Sequence, residues 1–325
     1  MIILFAQERD SMEKFLYQFN YPPEHQSLCA IESFYLFGQE IQSKMYFSNV
    51  DIDINRSAFI KAKIEIYAVS ENIDDLITMI ENQNHHFDSY KVIYLKNDVT
   101  HLEYEKTLDA CNRLSKKISG KNVMRDQSVT IALTKLNDRY IVGLYHHGYP
   151  TWQKYQNKPY TFSNALDLKL ARTVINIATG QNDNISLVDP CCGMGTVVME
   201  GLALGYKIDG YDISREISYK ARKNLEHFNL NPLVINRSSI QEVKKYYDVS
   251  IIDIPYNLYA PITYEEQCDI INQAYRISDK LILISYDEMD QEVIQAGFMI
   301  EKFCEVKKTM FTKFGRKVYV CKKNP

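Results

Sequence analysis

Residues 187–201, LVDPCCGMGTVVMEG, decide how this 325-residue chain is read. An apolar run closes at Asp189, glycines follow at Gly193 and Gly195, and a helical pattern opens at Thr196. A strand, a glycine turn and a helix in that order form the first βα unit of an open sheet, where ligands bind beyond the strand's carboxyl end. Glycine lets the backbone approach such a ligand closely. A tight turn without a ligand is the plainer alternative, but the details favour a ligand and disfavour a dinucleotide: that fingerprint needs G-x-G-x-x-G, and Val198 stands at its third glycine. Asp189-Pro190, not glycine, precedes the turn.

Working outward, strand-like runs at 185–189, 207–213, 233–236, 249–254 and 280–286 alternate with helical patterns at 196–204, 215–227, 264–277 and 288–296. A further helix is expected at 165–178. Such alternation predicts a parallel sheet with right-handed crossovers, a doubly wound α/β domain. The end departs from it. Residues 298–306 and 317–321 flank Phe314-Gly315-Arg316 and read as an antiparallel hairpin.

Two carboxylates belong to this frame. Asp212 closes the second strand in GYDIS, residues 210–214, where it can take both ribose hydroxyls of an adenosine. It can equally cap the next helix, a task Ser214 is also suited to. A nucleoside without pyrophosphate fits best, and S-adenosylmethionine is the common one. Asp253 ends the fourth strand in SIIDIPYNLY, residues 250–259. Methylating an exocyclic amine requires drawing its lone pair out of the ring. The Asp253 carboxylate and the Ile254 carbonyl can accept the amine's hydrogens, Pro255 stiffens the turn, and Tyr256 offers a face for stacking. Carbon-5 methylation of a pyrimidine would want a thiol where Tyr256 stands, and Cys191 and Cys192 read as small packing residues. His85-His86 and His146-His147 lack ligand spacing on a helix and read as loops, so no metal is expected.

Residues 1–147 form a different region, an α+β unit or pair of units. Strands are expected at 1–5, 58–67, 90–95, 128–135 and 140–145, and helices at 11–17, 73–81 and 104–116. Asn137-Asp138 predicts a hairpin turn. Residues 148–160 read as a linker and 161–325 as the α/β domain. A fragment beginning near Lys158 is then expected to hold the cofactor by itself.

Composition narrows the class. Lys plus Arg number 38 and Asp plus Glu 41, for a net charge of −3, which excludes a wholesale basic coat but not a local patch. The tail from Lys302 supplies one: Lys302, Lys307, Lys308, Lys313, Arg316, Lys317, Lys322 and Lys323 face only Glu305. These, with Phe311 and Phe314, suit either a solvated sheet edge or a phosphate-contacting surface. No apolar run approaches the roughly 18 residues of a membrane span, and residues 1–5 are too short for a secretory signal, so the protein is expected in the cytoplasm. Seven cysteines without a C-x-x-C pair argue against disulfides and structural zinc.

The motifs resemble those of the UPF0020 RNA methylases, a branch of the class I S-adenosylmethionine-dependent methyltransferases. D-P-x-C-G-x-G-T-x-x-x-E is met by Asp189, Pro190, Cys192, Gly193, Gly195, Thr196 and Glu200, and KPYTFSNALDLKLARTVINIA, from Lys158, is similar to the family's preceding helix. Residues 128–145 resemble the closing strands of a THUMP domain, and the whole resembles bacterial relatives of the tRNA (guanine-10-N2) methyltransferase. The resemblance implies a Rossmann-like sheet with a terminal antiparallel hairpin behind a ferredoxin-like and THUMP-like RNA-binding region. It implies S-adenosyl-L-methionine as cofactor, held by Phe162, Asp189, Pro190, Cys192, Gly193, Gly195, Thr196, Asp212, Ile213, Ser239 and Ile240, with Asp253, Pro255 and Tyr256 catalytic. The substrate implied is tRNA or another structured RNA, methylated at guanosine N2. Alternatives are an adenine-N6 methyltransferase on DNA or RNA, and a degenerate methylase that binds RNA without catalysis. Two positions depart from the family. Ile254 replaces the second residue of D-P-P-Y, and Ser238-Ser239-Ile240 lacks the usual adenine-contacting Asp, leaving a hydroxyl, a backbone group or Glu242 for that contact.

Overall fold

A computed structural model describes residues 13–162, 165–256, 262–307 and 315–323. Contacts divide the chain into two compact units, and the chain passes between them more than once. Of the described residues, 13–20, 42–55 and 59–149 belong to the first unit, and 21–41, 56–58 and those from 150 to 323 belong to the second.

Through residue 149 the elements are β1 (Phe15–Phe19), α1 (Gln26–Phe37), β2 (Met45–Ser48), β3 (Ile60–Ser70), α2 (Ile73–Asn82), β4 (His86–Tyr94), α3 (Tyr104–Ser115), β5 (Ser119–Asn122), β6 (Val129–Leu136) and β7 (Arg139–His147). All but α1 build the first unit, a seven-stranded sheet in the order β2-β1-β3-β7-β6-β4-β5. The Asn72 side chain caps α2 by accepting from the Asp74 and Asp75 N–H groups. Leu76, Ile80 and Leu114 from α2 and α3 pack on Tyr90, Ile131 and Val142 of the sheet. The expected hairpin is present: Leu136 pairs with Arg139, and Asn137 takes a left-handed φ of 55°.

Other expectations for this region need correction. Residues 15–17, expected as the end of a helix, belong instead to the strand Phe15–Phe19, in which every residue is buried. A short apolar run has no period by which to tell a central strand from a helix. The strand expected at 1–5 lies outside the described residues. Helix α1 went unread because Glu32 and Ser33 are wholly buried on it and break its apolar stripe.

In the second unit α1 is followed by α4 (Leu168–Thr179), β8 (Ser186–Asp189), α5 (Thr196–Ala203), β9 (Lys207–Asp212), α6 (Arg215–His227), β10 (Ile235–Arg237), β11 (Tyr247–Asp253), α7 (Tyr264–Ile277), β12 (Ser278–Ser285), α8 (Asp290–Gln295), β13 (Phe298–Val306) and β14 (Arg316–Lys323). The sheet order is β10-β9-β8-β11-β12-β14-β13. The strands from β10 to β12 are parallel, and β14 enters antiparallel between β12 and β13. This is a doubly wound, mostly parallel α/β sheet with one antiparallel strand near its edge. The expected hairpin is β13–β14, but its second strand is interior to the sheet, with Tyr319, Val320 and Cys321 fully buried.

A buried polar network ties α1 to α4 in this unit. Asn176 Nδ2 and Ser57 Oγ donate to the two Glu32 oxygens at 2.7 and 2.6 Å. Arg56 donates to Asn176 Oδ1 at 2.9 Å and to Thr179 Oγ1 at 2.7 Å, placing its charge at the carboxyl end of α4 where the helix dipole favours a cation. Burial pushes the Glu32 carboxyl up to about 7, against these donors and the Arg56 and Arg172 charges. Residues 151–157 are not a free tether either. They form a 3-10 turn with Trp152 and Tyr155 buried, and Tyr155 meets Phe228 edge-on at 4.8 Å.

Topology then fixes where a ligand can sit. From β8 the chain winds outward through β9 and β10, then returns to place β11 on the other side of β8. Between the carboxyl ends of β8 and β11 the winding reverses, and in open α/β sheets the crevice lies there.

Candidate active site

The crevice floor is the turn after β8. The Cys192 N–H donates to the Tyr211 carbonyl, and the Gly195 N–H to the Cys192 carbonyl, each at 2.8 Å. Gly193 and Gly195 take φ of 50° and 78°, a region glycine enters without strain. A Cβ at Gly193 would meet nothing within 4 Å, so the turn leaves open space on that side. Gly195 caps α5, and Lys158 Nζ donates to Thr196 Oγ1 at 2.7 Å. Behind the turn, Glu200 accepts from Arg172 Nη1 at 2.7 Å with both side chains buried, and burial pushes its carboxyl up to about 7. Arg172 in turn donates to the Arg56 carbonyl at 2.9 Å. Glu200 thus anchors α5 to α4.

Three carboxyls line the cleft above the floor. Asp189 is buried, accepts from the Cys191 N–H at 3.2 Å, and is raised well above the usual carboxylate range by that burial. Asp212 accepts from the Gly193 N–H at 3.2 Å and from the Ser214 N–H at 2.8 Å. Burial raises it too, opposed by those two donors. Ser214 itself caps α6 by accepting from Ile217, which leaves Asp212 with lone pairs for a ligand. Asp253, at the end of β11, lies 3.5 Å from Arg316 Nη2. Burial pushes it up to about 6 against the pull of that guanidinium.

The rest of the fourth-strand motif is well supported. The Ile254 N–H continues the ladder to the Ile284 carbonyl at 2.9 Å, and its side chain is 1% exposed among core residues. The isoleucine therefore substitutes apolar packing where the resembled motif has proline. Gln267 of α7 donates to the Pro255 carbonyl at 2.8 Å. Tyr256 meets Tyr286 edge-on at 4.9 Å, and the Arg316 guanidinium lies over the Tyr286 ring at 5.2 Å.

One open cleft gathers Phe162, Ala165 and Leu166, the turn from Cys191 to Met194, Thr196, Val197, Asp189, Asp212 and residues 253–256. Pro190, Gly195, Ile213, Ser239 and Ile240 do not line it. Pro190 and Gly195 are buried in the turn, whereas Ile213 is 72% exposed just past Asp212. Ser239 and Glu242 form a reciprocal cap on a 3-10 turn, Ser238 donates to Glu242 at 2.6 Å, and Ile240 is buried in the core. Burial raises both the Cys191 and Cys192 thiols far from a thiolate.

Sequence reasoning missed Arg316, Tyr286 and Gln267 as neighbours of the motif, because each comes from an element whose place depends on the sheet order. The tail cations also look different in place. Lys302 pairs with Glu40 at 2.7 Å, Lys317 donates to the Tyr286 carbonyl at 3.1 Å, and Lys323 donates to Tyr246 at 2.7 Å. Lys308, Lys313, Phe311 and Phe314 lie outside the described residues. Among the described residues no three His, Cys, Asp or Glu side chains converge as a metal site, and no helix is long and apolar enough to cross a membrane.

Part of the chain is similar to known proteins. Residues 156–260 match the UPF0020 family model, described as an RMKL-like methyltransferase domain. The chain is similar to the tRNA (guanine(10)-N2)-dimethyltransferase of Methanothermobacter thermautotrophicus, 25% identical over 203 residues that cover 60% of this chain and 59% of that protein. It is similar to the enzyme of the same name from Pyrococcus abyssi, 25% identical over 109 residues, 32% of each chain. The chain therefore spans less than two thirds of the length of these relatives. Among solved structures it resembles TrmN from Thermus thermophilus, with a TM-score of 0.47 and 13% identity over 95% of this chain and 99% of that one.

Proposed function

We infer, for a chain whose residues 156–260 are a UPF0020 methyltransferase domain, that the protein is an S-adenosylmethionine-dependent RNA methyltransferase acting on the exocyclic N2 of a guanosine in tRNA. The observation that carries this is the meeting of the β8 turn, Asp212 and Asp253–Tyr256 in one cleft at the reversal of the sheet. The names of the tRNA-modifying relatives support the substrate class.

The residues present fit the cofactor. Asp212, oriented by the Gly193 and Ser214 N–H groups, would take the ribose hydroxyls, and the space beside Gly193 admits a ligand against the backbone. When bound, S-adenosylmethionine supplies an electrophilic methyl group on a positively charged sulfur. The chain's own part is to prepare the amine. A guanine flipped out of its stack enters the cleft beside Tyr256, whose ring provides a stacking face. The Asp253 carboxylate and the Ile254 carbonyl accept the two amine hydrogens, turning the nitrogen lone pair out of the ring plane. A carboxyl titrating at about 6 is ionised at neutral pH and sits close enough to neutrality to take the proton the nitrogen sheds. The first unit serves as the RNA-docking module, through exposed cations such as Lys116, Lys121 and Arg125.

The test is methyl transfer from labelled cofactor to tRNA, followed by mass spectrometry of the nucleosides. N2-methylguanosine is the expected product. N6-methyladenosine would select the adenine reading, and RNA binding without any transfer would select a degenerate methylase.

A further inference from the structure

Arg316 reaches the cleft from an element that contributes nothing else to the motif. Because β14 runs antiparallel to β12, its first residue lies at the end where β11 and β12 finish; Lys317 pairs with Ser285, just before Tyr286. The Arg316 side chain is 11% exposed, unlike a solvated surface cation, and its Nη2 is 3.5 Å from Asp253 Oδ2. The same guanidinium lies over Tyr286 at 5.2 Å, and Tyr286 holds the edge of Tyr256 at 4.9 Å. Arg316 thereby touches, directly or through one ring, both residues that handle the amine.

The surroundings of Asp253 explain why a cation is needed. Asp189 at the end of β8, the Cys191 thiol and the Tyr256 hydroxyl face it, with Asp212 on the same cleft, and none of these favours a second negative charge. Burial works in the same direction, and among the described residues the Arg316 guanidinium opposes it. A protonated Asp253 would offer a donor where the amine requires an acceptor.

We propose that Arg316 is a positioning residue for methyl transfer: it keeps the Asp253 carboxylate ionised and aimed at the cleft, and through Tyr286 it fixes the ring of Tyr256. This rests on the amine-acceptor role given to Asp253 above. Arg316→Gln and Arg316→Lys separate charge from shape. The full-length proteins are compared in single-turnover methylation at saturating cofactor and tRNA, across pH, with melting temperatures alongside. Carbon-13 NMR of aspartate carboxyls, assigned with Asp253→Asn, follows the carboxyl itself in cofactor-free protein.

In Arg316→Gln the Asp253 midpoint and the acid limb of the rate profile are both expected to rise by about 1–3 pH units, the effect of removing an opposite charge at this distance. The rate at pH 7 is expected to fall about tenfold or more and to recover as the pH is raised. Arg316→Lys keeps the charge and is expected to leave the midpoint near that of the wild type. An unmoved midpoint and acid limb in Arg316→Gln, with a rate loss that only tracks melting temperature, would overturn the proposal. So would a rise in KM for tRNA at unchanged rate, which would make Arg316 an RNA contact instead. A wild-type protein that methylates no nucleic acid defeats the functional reading, and the proposal with it. Wild-type turnover with an unmoved midpoint defeats the proposal alone.

Discussion

At Asp253 the needs of chemistry and of folding pull in opposite directions. Its carboxyl is raised from 3.8 to about 6, so between those values the folded protein holds a proton that the unfolded chain has released. Stability therefore falls as pH rises through that window, and at neutral pH the ionised form is present at some cost to the fold. Asp253→Asn is expected to lower turnover about 10²–10³-fold, the scale of losing one oriented polar group at a reacting centre. Its melting temperature at pH 8 is expected to equal or exceed that of the wild type, and a drop of several degrees would make the residue structural. Asp212→Ala is expected to weaken cofactor binding by about 1.5–3 kcal/mol, the worth of hydrogen bonds to a charged acceptor, as read by calorimetry. Tyr256→Ala is expected to be severe, by roughly 1–3 kcal/mol of lost stacking. Tyr256→Phe, which loses only a hydroxyl near Arg316, is expected to be milder in the same methylation assay. These residues were legible because each ends its strand or follows it within a few positions, so local order already carries them to the cleft. Arg316 was not, since only the insertion of β14 between β12 and β13 brings it there.

The elements of the second unit were read well where burial made periodicity clean, as in α4, α6 and the central strands. Helix α1 escaped because its buried Glu32 is satisfied by Asn176, more than 140 positions away, and no local pattern announces such a partner. That bond changes what a fragment can do. A chain beginning near Lys158 lacks α1 and Arg56, leaving the Asn176 amide and the face of α4 without the groups that cover them. Contrary to the expectation from sequence, such a fragment is expected to melt without cooperativity and to bind cofactor weakly, as scanning calorimetry and titration would show. In the full chain Glu32→Ala is expected to cost about 1–3 kcal/mol by leaving buried donors unpaired. Denaturant unfolding that matches the wild type would contradict this.

For the whole molecule, a net charge of −3 means that the proposed RNA binding would have to come from local cations. If the first unit docks tRNA, Lys121→Glu with Arg125→Glu is expected to weaken tRNA binding several-fold and to flatten its salt dependence by about one unit of slope per lost phosphate contact. Cofactor affinity is expected to stay unchanged, and equal tRNA binding at every salt concentration would refute the docking role. The repeated passage of the chain between its units also bears on how the protein is made. Helix α1 ends at Phe37 and its partner α4 begins at Leu168, so about 130 residues separate them on the way out of the ribosome. At roughly 5–20 residues per second α1 waits about 7–26 s for its partner. During that interval Leu28, Ile31 and Leu36, all destined for burial, have no surface to meet. Vectorial synthesis therefore delivers the second unit in the wrong order for its own assembly, and nascent chains halted before α4 are the species for which a holdase chaperone would compete.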